Sequence, residues 1–196
     1  SSNIDNIDYM VDLSNNEKEN LSIQGYAKEG IKEQDKHVVG YAHEAGKAII
    51  IVVNKWDLVV KNEKTMSDFT KKIRNEFKFL EYAPIVFVSA LEKKRIDTIF
   101  EAIDVAYEGF TSHLQTATLN EIINDACLMN EAPDFNGGRL RVYYAHQVGI
   151  KPPTFVLFVN NPEFAHFSYL RYLENRIREA FEFRGSPIKF VLRKRK

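Results

Sequence analysis

AIIIVVNKWD, residues Ala48 to Asp57, decides the fold. Six apolar and mostly β-branched positions run on without a break, then stop at a polar tetrapeptide. A short continuous apolar run suits a strand covered on both faces, as in a parallel sheet, better than a half-exposed one. Upstream, residues 31–45 read as a helix with Ile31, Val38 and Ala42 on one stripe and Gly46 as its stop. Downstream, Phe69, Ile73 and Phe77 recur at helical spacing, with Ser67 or Thr65 to cap the start. Ile85 to Val88 repeats the buried-strand pattern, and Ile96, Ile99, Phe100, Ile103 and Tyr107 mark the inner face of a third helix. Helices alternating with apolar strands over residues 29–112 predict a parallel α/β sheet. Residues 1–28 are polar, rich in Asn and without period, and are expected to be irregular.

Beyond Thr111 the grammar changes. A helix over residues 118–129 would bury Leu119, Ile122, Ile123, Ala126 and Cys127. From Arg139 to Val148 the period is two, with Leu140, Val142, Tyr144 and Val148 opposite Arg139, Arg141, Tyr143 and Gln147. A second strand follows at residues 155–160. Next comes a helix with Leu170, Leu173, Ile177, Ala180 and Phe181 inward, and then a third strand carrying Ile188, Phe190 and Leu192. The order α-β-β-α-β over residues 113–196 implies a three-stranded sheet with helices on one face.

The chain is 196 residues long, enough for two small domains, and no apolar stretch approaches the ~20 residues of a membrane span. Its one cysteine, Cys127, cannot staple the fold and fits a reducing, cytoplasmic setting. The net charge of zero hides an asymmetry: residues 1–112 carry 15 basic and 19 acidic side chains, residues 113–196 carry 12 and 8. The basic excess is densest in Arg193, Lys194, Arg195 and Lys196. It implies either a polyanion partner for that half or a solubilising end, and its removal is expected to leave stability almost unchanged.

The chemistry sits where the apolar strands stop. Ligands of open α/β sheets bind at the carboxyl ends of the strands. Asn54-Lys55-Trp56-Asp57 follows the first strand. One carboxylate, Asp57, can accept both N–H donors of the guanine edge, whereas adenine lacks that donor pair and would leave the carboxylate unmatched. Asn54 can tie the loop to neighbouring backbone, and the stem of Lys55 can lie over a flat base. Ser89-Ala90-Leu91 follows the second strand, and its backbone N–H groups are candidates for guanine O6. The sequence holds no G-x-x-x-x-G-K-[ST] loop to cradle phosphates and no D-x-x-G loop, so the chain alone is expected to read a base without hydrolysing a nucleotide. No residue is assigned a catalytic or metal-binding role. His37, His43, His113, His146 and His166 lack ligand spacing, and Cys127 lies on an inner helical stripe. Tyr143, Tyr144, Phe155 and Phe158 can stack on bases, although strand aromatics usually pack cores. Arg139, Arg141, Gln147, Lys189 and Arg193 form a face for phosphate, for an acidic domain, or simply for solvent.

Four stretches carry a resemblance. EGIKEQDKHVVGYAHEAGKAIIIVVNKWDLV (29–59) and YAPIVFVSALEKKRI (82–96) resemble the second GTPase domain of the EngA/Der family of double-GTPase ribosome-assembly factors. LRVYYAHQVGIKPPTFVLFVNNPEFAHFSYLRYLENRIREAF (140–181) and SPIKFVLRKRK (186–196) resemble its C-terminal KH-like domain. The resemblance implies the end of a P-loop-GTPase-type parallel α/β domain followed by a KH-like αββαβ domain. It also implies GTP or GDP and Mg²⁺ as ligands of the parent protein, the large ribosomal subunit and its rRNA as partner, and preceding GTPase domains in the same parent. By position, Asn54, Lys55 and Asp57 match the family's guanine motif, and Ser89, Ala90 and Leu91 its second base-contacting motif. The phosphate-binding part of the domain and the G-x-x-G loop of typical KH domains are not in the sequence, so the chain is expected to be a piece of a longer protein. A nucleotide-free α/β domain carrying an RNA-binding or domain-docking module is the alternative.

Overall fold

The computed structural model describes residues 9–12, 33–60 and 62–195. It divides into two compact units, Ser1–Tyr107 with Arg184–Ser186, and Glu108–Phe183 with Pro187–Lys196. Among the described residues no helix is long and apolar enough to cross a membrane.

The first unit is built on three parallel strands, β1 (Tyr9–Asp12), β2 (Ile49–Val53) and β3 (Ile85–Phe87), in that order across the sheet. All five residues of β2 are buried, and their alternation divides them between two cores. Ile49, Ile51 and Val53 pack with Val39, Ala42, Ile73 and Phe77 from helices α1 (Glu33–Glu44) and α2 (Thr65–Glu76). Ile50 and Val52 pack with Ala102 and Ala106 from α3 (Asp97–Thr111). This double cover explains why β2 shows no polar alternation. Helix α1 ends at Glu44 and is closed by Gly46, φ +71°, where the Gly46 N–H reaches the His43 carbonyl and the Lys47 N–H that of Ala42. That pairing satisfies the last carbonyls through a residue that accepts the left-handed region.

Several expectations are corrected. Tyr9–Asp12 is a strand paired to β2, not irregular chain; four residues are too few to show a period, and backbone pairing to a formed edge is what orders them. The rest of residues 1–28, and Ile31, lie outside the described residues. In α1 the buried stripe is Val39 and Ala42, while Val38 is exposed. In α3 Phe100 is exposed and Ala102 and Ala106 take the inner face. Neither Ser67 nor Thr65 caps α2 through the helix backbone. Instead the Asn62 carboxamide oxygen accepts from the Lys64 N–H and the Thr65 hydroxyl.

Gly185 belongs to the first unit: its N–H donates to the Tyr82 carbonyl (2.7 Å) and its carbonyl accepts from the Ile49 N–H (2.8 Å). Its φ is +73°, and a Cβ there would stand 2.6 Å from the Ala106 backbone, so only glycine fits.

The second unit carries helix α4 (Thr116–Met129), a two-residue ladder of β4 (Asp134–Phe135) with β5 (Gly138–Arg139), strands β6 (Val142–Gly149) and β7 (Thr154–Val159), helix α5 (Phe167–Ala180) and strand β8 (Lys189–Lys194). The main sheet runs β6-β7-β8, antiparallel then parallel. Its inner face, with Ala145, Phe155, Leu157 and Val159, packs on Leu119, Ile123, Leu173 and Ile177 of the two helices. Asn120 of α4 reaches the outer edge of β6, where its amide donates to the Ala145 carbonyl (2.7 Å) and its oxygen accepts from the Ala145 N–H (2.9 Å). Ala180 and Phe181, expected inward, are exposed; Phe183 is buried against the core in their place.

The expected alternation in β6 fails at Tyr143. Val142 faces Val159 and Tyr144 faces Phe158, so one extra residue, Tyr143, is bulged between them. A bulge of this kind breaks the period of two and re-aims the side chains that follow. Ala145 therefore enters the core, and Tyr144 turns to the face away from the helices with 45% of its surface exposed.

Candidate functional site

Because β2 and β3 are adjacent and parallel, the loops after them leave the same edge of the sheet. The Asn54 carboxamide joins the two: its oxygen accepts from the Lys55 N–H (2.7 Å) and from the Ala90 N–H (3.0 Å). Backbone pairs reinforce the link, from the Trp56 N–H to the Val88 carbonyl and from the Val88 N–H to the Val53 carbonyl. Lys55 takes the left-handed conformation, φ +55°, and so turns the chain sharply into the 3-10 turn Trp56–Leu58.

Around this junction Trp56, Asp57, Phe87, Val88, Ser89, Lys94 and Arg95 line a cleft of about 220 Å³. Drug-sized ligands use roughly 300–1,000 Å³, so this cleft suits one ring system rather than a whole nucleotide. Apolar walls and one half-buried carboxylate, Asp57, are what a base with adjacent N–H donors requires. Trp56 is the residue that sequence reasoning passed over. It is 5% exposed, stands edge-on to Phe69 with ring centroids 5.2 Å apart, and lies 4.5 Å from Phe87. Its place between Lys55 and Asp57 was the available signal.

The second loop is tightly folded. Ser89 is buried, and its N–H and carbonyl both pair with Lys94. Its hydroxyl oxygen accepts from the Glu92 N–H (3.1 Å). Lys93 and Arg95 adopt positive φ, +53° and +59°. The N–H groups of Ser89 and Ala90, candidates for O6, are thus engaged by Lys94 and Asn54, and an incoming O6 has to share or displace the Asn54 contact. Leu91 is 87% exposed at the loop tip. Lys94, at the cleft, has its ammonium pKa raised, first by its hydrogen bond to Glu92 and in smaller part by Asp57. Among the described residues no group of three or more His, Cys, Asp or Glu side chains is placed to hold a metal ion.

In the second unit the basic candidates separate. Arg139 is paired to Glu131 and Asp134, which raise its guanidinium pKa, Asp134 foremost, so its charge is met locally. Arg141 is exposed just ahead of β6, where its backbone N–H donates to the Asn160 side chain. Register puts Lys189 opposite Thr154, Arg193 opposite Phe158 and Lys194 opposite Val159. Cross-strand partners share a face, so Arg193 lies on the open face with Phe158, and Lys194 lies on the helix-covered side with Val159. Arg193 and Lys194 also belong to the β8 ladder, and the Arg195 N–H donates to the Val159 carbonyl. Arg193 to Arg195 are therefore not a free tail, and deleting them would cost ladder hydrogen bonds; Lys196 lies outside the described residues. Burial raises the Cys127 thiol pKa, which fits a packing role rather than a nucleophile. His43 bonds to the Tyr82 hydroxyl and His166 accepts from the Ser168 N–H at the start of α5, so both serve the fold.

The family profile for the KH-domain-like C-terminal domain of EngA bacterial GTPase enzymes matches residues 113–193, and that of the elongation factor Tu GTP binding domain matches residues 26–108. Among similar proteins, the GTPase Der of Ligilactobacillus salivarius is 59% identical over 170 residues, 87% of this chain and 39% of that protein. The GTPase Der of Limosilactobacillus fermentum is 57% identical over 171 residues, with the same coverage. That of Macrococcus caseolyticus is 58% identical over 169 residues, 86% of this chain and 39% of its own length. The chain thus spans about two fifths of the length of these relatives.

Proposed function

From the premise that this chain belongs to the EngA/Der family of GTPases, we propose that it supplies the guanine-reading part of a GTP-binding factor for large-subunit ribosome assembly, joined to a domain that contacts rRNA. The observation that carries the nucleotide part is the Asn54 carboxamide bridging the two strand-end loops beside Asp57. That junction fixes the carboxylate at the wall of a base-sized cleft, at the strand ends where such folds hold ligands. Lys55, Ser89, Ala90 and Leu91 complete the base-contacting set by their place in the two loops. Phosphates, Mg²⁺ and the chemistry of hydrolysis belong to the longer parent, which works in the cytoplasm with its preceding GTPase domains.

Trp56 is the one tryptophan of the chain and lines the cleft, so its emission reports occupancy. Titration of the chain with GDP or GTP in the millimolar range should change that emission saturably, adenine nucleotides should not, and no GTP turnover should accompany binding. Equal responses to guanine and adenine would remove base selection from this cleft.

For the second unit, the expected readout is salt dependence. Each phosphate contact adds about 0.7–0.9 to the log–log slope of affinity against salt. Replacing Arg193, Lys194 and Arg195 together with Gln should therefore flatten the slope for large-subunit rRNA by roughly two to three units if all three engage. Gln keeps the backbone ladder of β8, which deletion would not. Equal slopes in filter binding would assign these charges to docking against an acidic protein surface.

A further inference from the structure

The bulge at Tyr143 has an effect beyond the fold. It places two consecutive tyrosines, Tyr143 and Tyr144, on one groove, where a regular strand would send them to opposite faces. Both are 45% exposed. His146 and Phe158 continue the groove, with their rings stacked at 20° and centroids 5.7 Å apart, and Tyr144 lies 5.7 Å from His146. At one end the Arg195 guanidinium stands 5.0 Å over the Tyr143 ring. The groove is open, about 670 Å³, and lies wholly within the second unit.

We propose that this face of the β6-β7-β8 sheet is a stacking platform for the unpaired bases of single-stranded RNA. The proposal rests on the reading of the second unit as an rRNA-contacting domain, and it names the part of the RNA that is held. Exposed aromatic rings side by side offer a π-face to any base and carry no sequence preference of their own. A duplex keeps its bases stacked on each other and cannot use them, so the site selects single strands, loops and ends. Charge complementarity favours RNA over an apolar partner. Arg195 caps the row of rings, and Arg193, paired across the sheet with Phe158, edges the same face. The unit around them holds the basic excess of the chain. A guanidinium already stacked on Tyr143 is placed to meet a phosphate while the ring beside it meets the base. Phe155 takes no part: it is fully buried on the other face.

The test is fluorescence anisotropy of an end-labelled, unstructured RNA octamer with the full chain, beside the same sequence in a duplex. The single strand should bind more tightly. The double variant Tyr143→Leu/Tyr144→Leu keeps apolar bulk and removes the π-faces. It should lose roughly five- to 150-fold in affinity for each base unstacked. Tyr144→Phe keeps the ring and should bind like the parent chain. Thermal unfolding of each variant verifies the fold; should the double variant melt early, Tyr144→Leu set against Tyr144→Phe carries the same contrast. If the leucine variants bind as tightly as the parent chain, or duplex and single strand bind equally, the stacking platform is wrong while rRNA contact through charge survives. If the parent chain binds no RNA at any salt, both readings fall together.

Discussion

Asp57→Asn should weaken guanine nucleotide binding by roughly ten- to a hundredfold, measured by calorimetry in a chain that also carries the phosphate-binding half of the domain. The figure follows from a carboxylate accepting two N–H donors in a cleft with apolar walls. Losing a charge-assisted pair costs about 1.5–3 kcal/mol. An amide keeps the shape of the side chain but offers one acceptor and points an N–H at one of the guanine donors. The same change makes a second, opposite expectation. Xanthine has a carbonyl where guanine has its amino group, so the amide can pair with it, and xanthine nucleotides should gain affinity as guanine nucleotides lose it. Unchanged guanine affinity would mean that Asp57 does not read the base.

Trp56→Ala should cost the first unit about 3–5 kcal/mol, the usual range for truncating a buried large aromatic. The ring is nearly enclosed and wedged between Phe69 and Phe87. Its removal opens a cavity under the turn that carries Asp57, so base recognition should fail along with stability. Urea unfolding followed by circular dichroism reads the cost as a lower midpoint at an unchanged slope. A loss under about 1 kcal/mol would show that the turn is held by its backbone pairs alone, because surface-like substitutions stay in that range. Trp56→Phe, which keeps part of the ring contact, should fall between.

The parts of this fold legible in the sequence were those written in long or unbroken patterns. Residues 48–53 announce a strand covered on both faces, and Asn54 and Asp57 announce chemistry because they interrupt it. The misreadings have local causes. Tyr9–Asp12 is too short for a period, and its order comes from a neighbouring strand 40 residues away by register, Tyr9 against Ile49. Val38 and Val39 are adjacent and equally apolar, and only the packing of α1 chooses Val39. A single bulged residue inverted the reading of β6 from Tyr144 onward, since a period of two has no tolerance for one insertion. Arg139 looked like part of a basic face because its partners, Glu131 and Asp134, become neighbours only through the β4–β5 ladder. Donor availability at Ser89 and Ala90 could not be read at all, because it depends on where Asn54 and Lys94 come to rest.

The carboxamide of Asn120 does for β6 what another strand would do. A strand at the border of a sheet shows its backbone groups to any extended chain that drifts by, and copies of the same protein are the most abundant such chains. At Ala145 both of those groups are already taken by one side chain from within the unit. A second molecule trying to extend the sheet there meets a closed position midway along its path and cannot zip past it. The open aromatic face and the side-chain-closed border are thus built on the same strand, and a change at Asn120 would free the border at Ala145 while leaving the rings of the face in place.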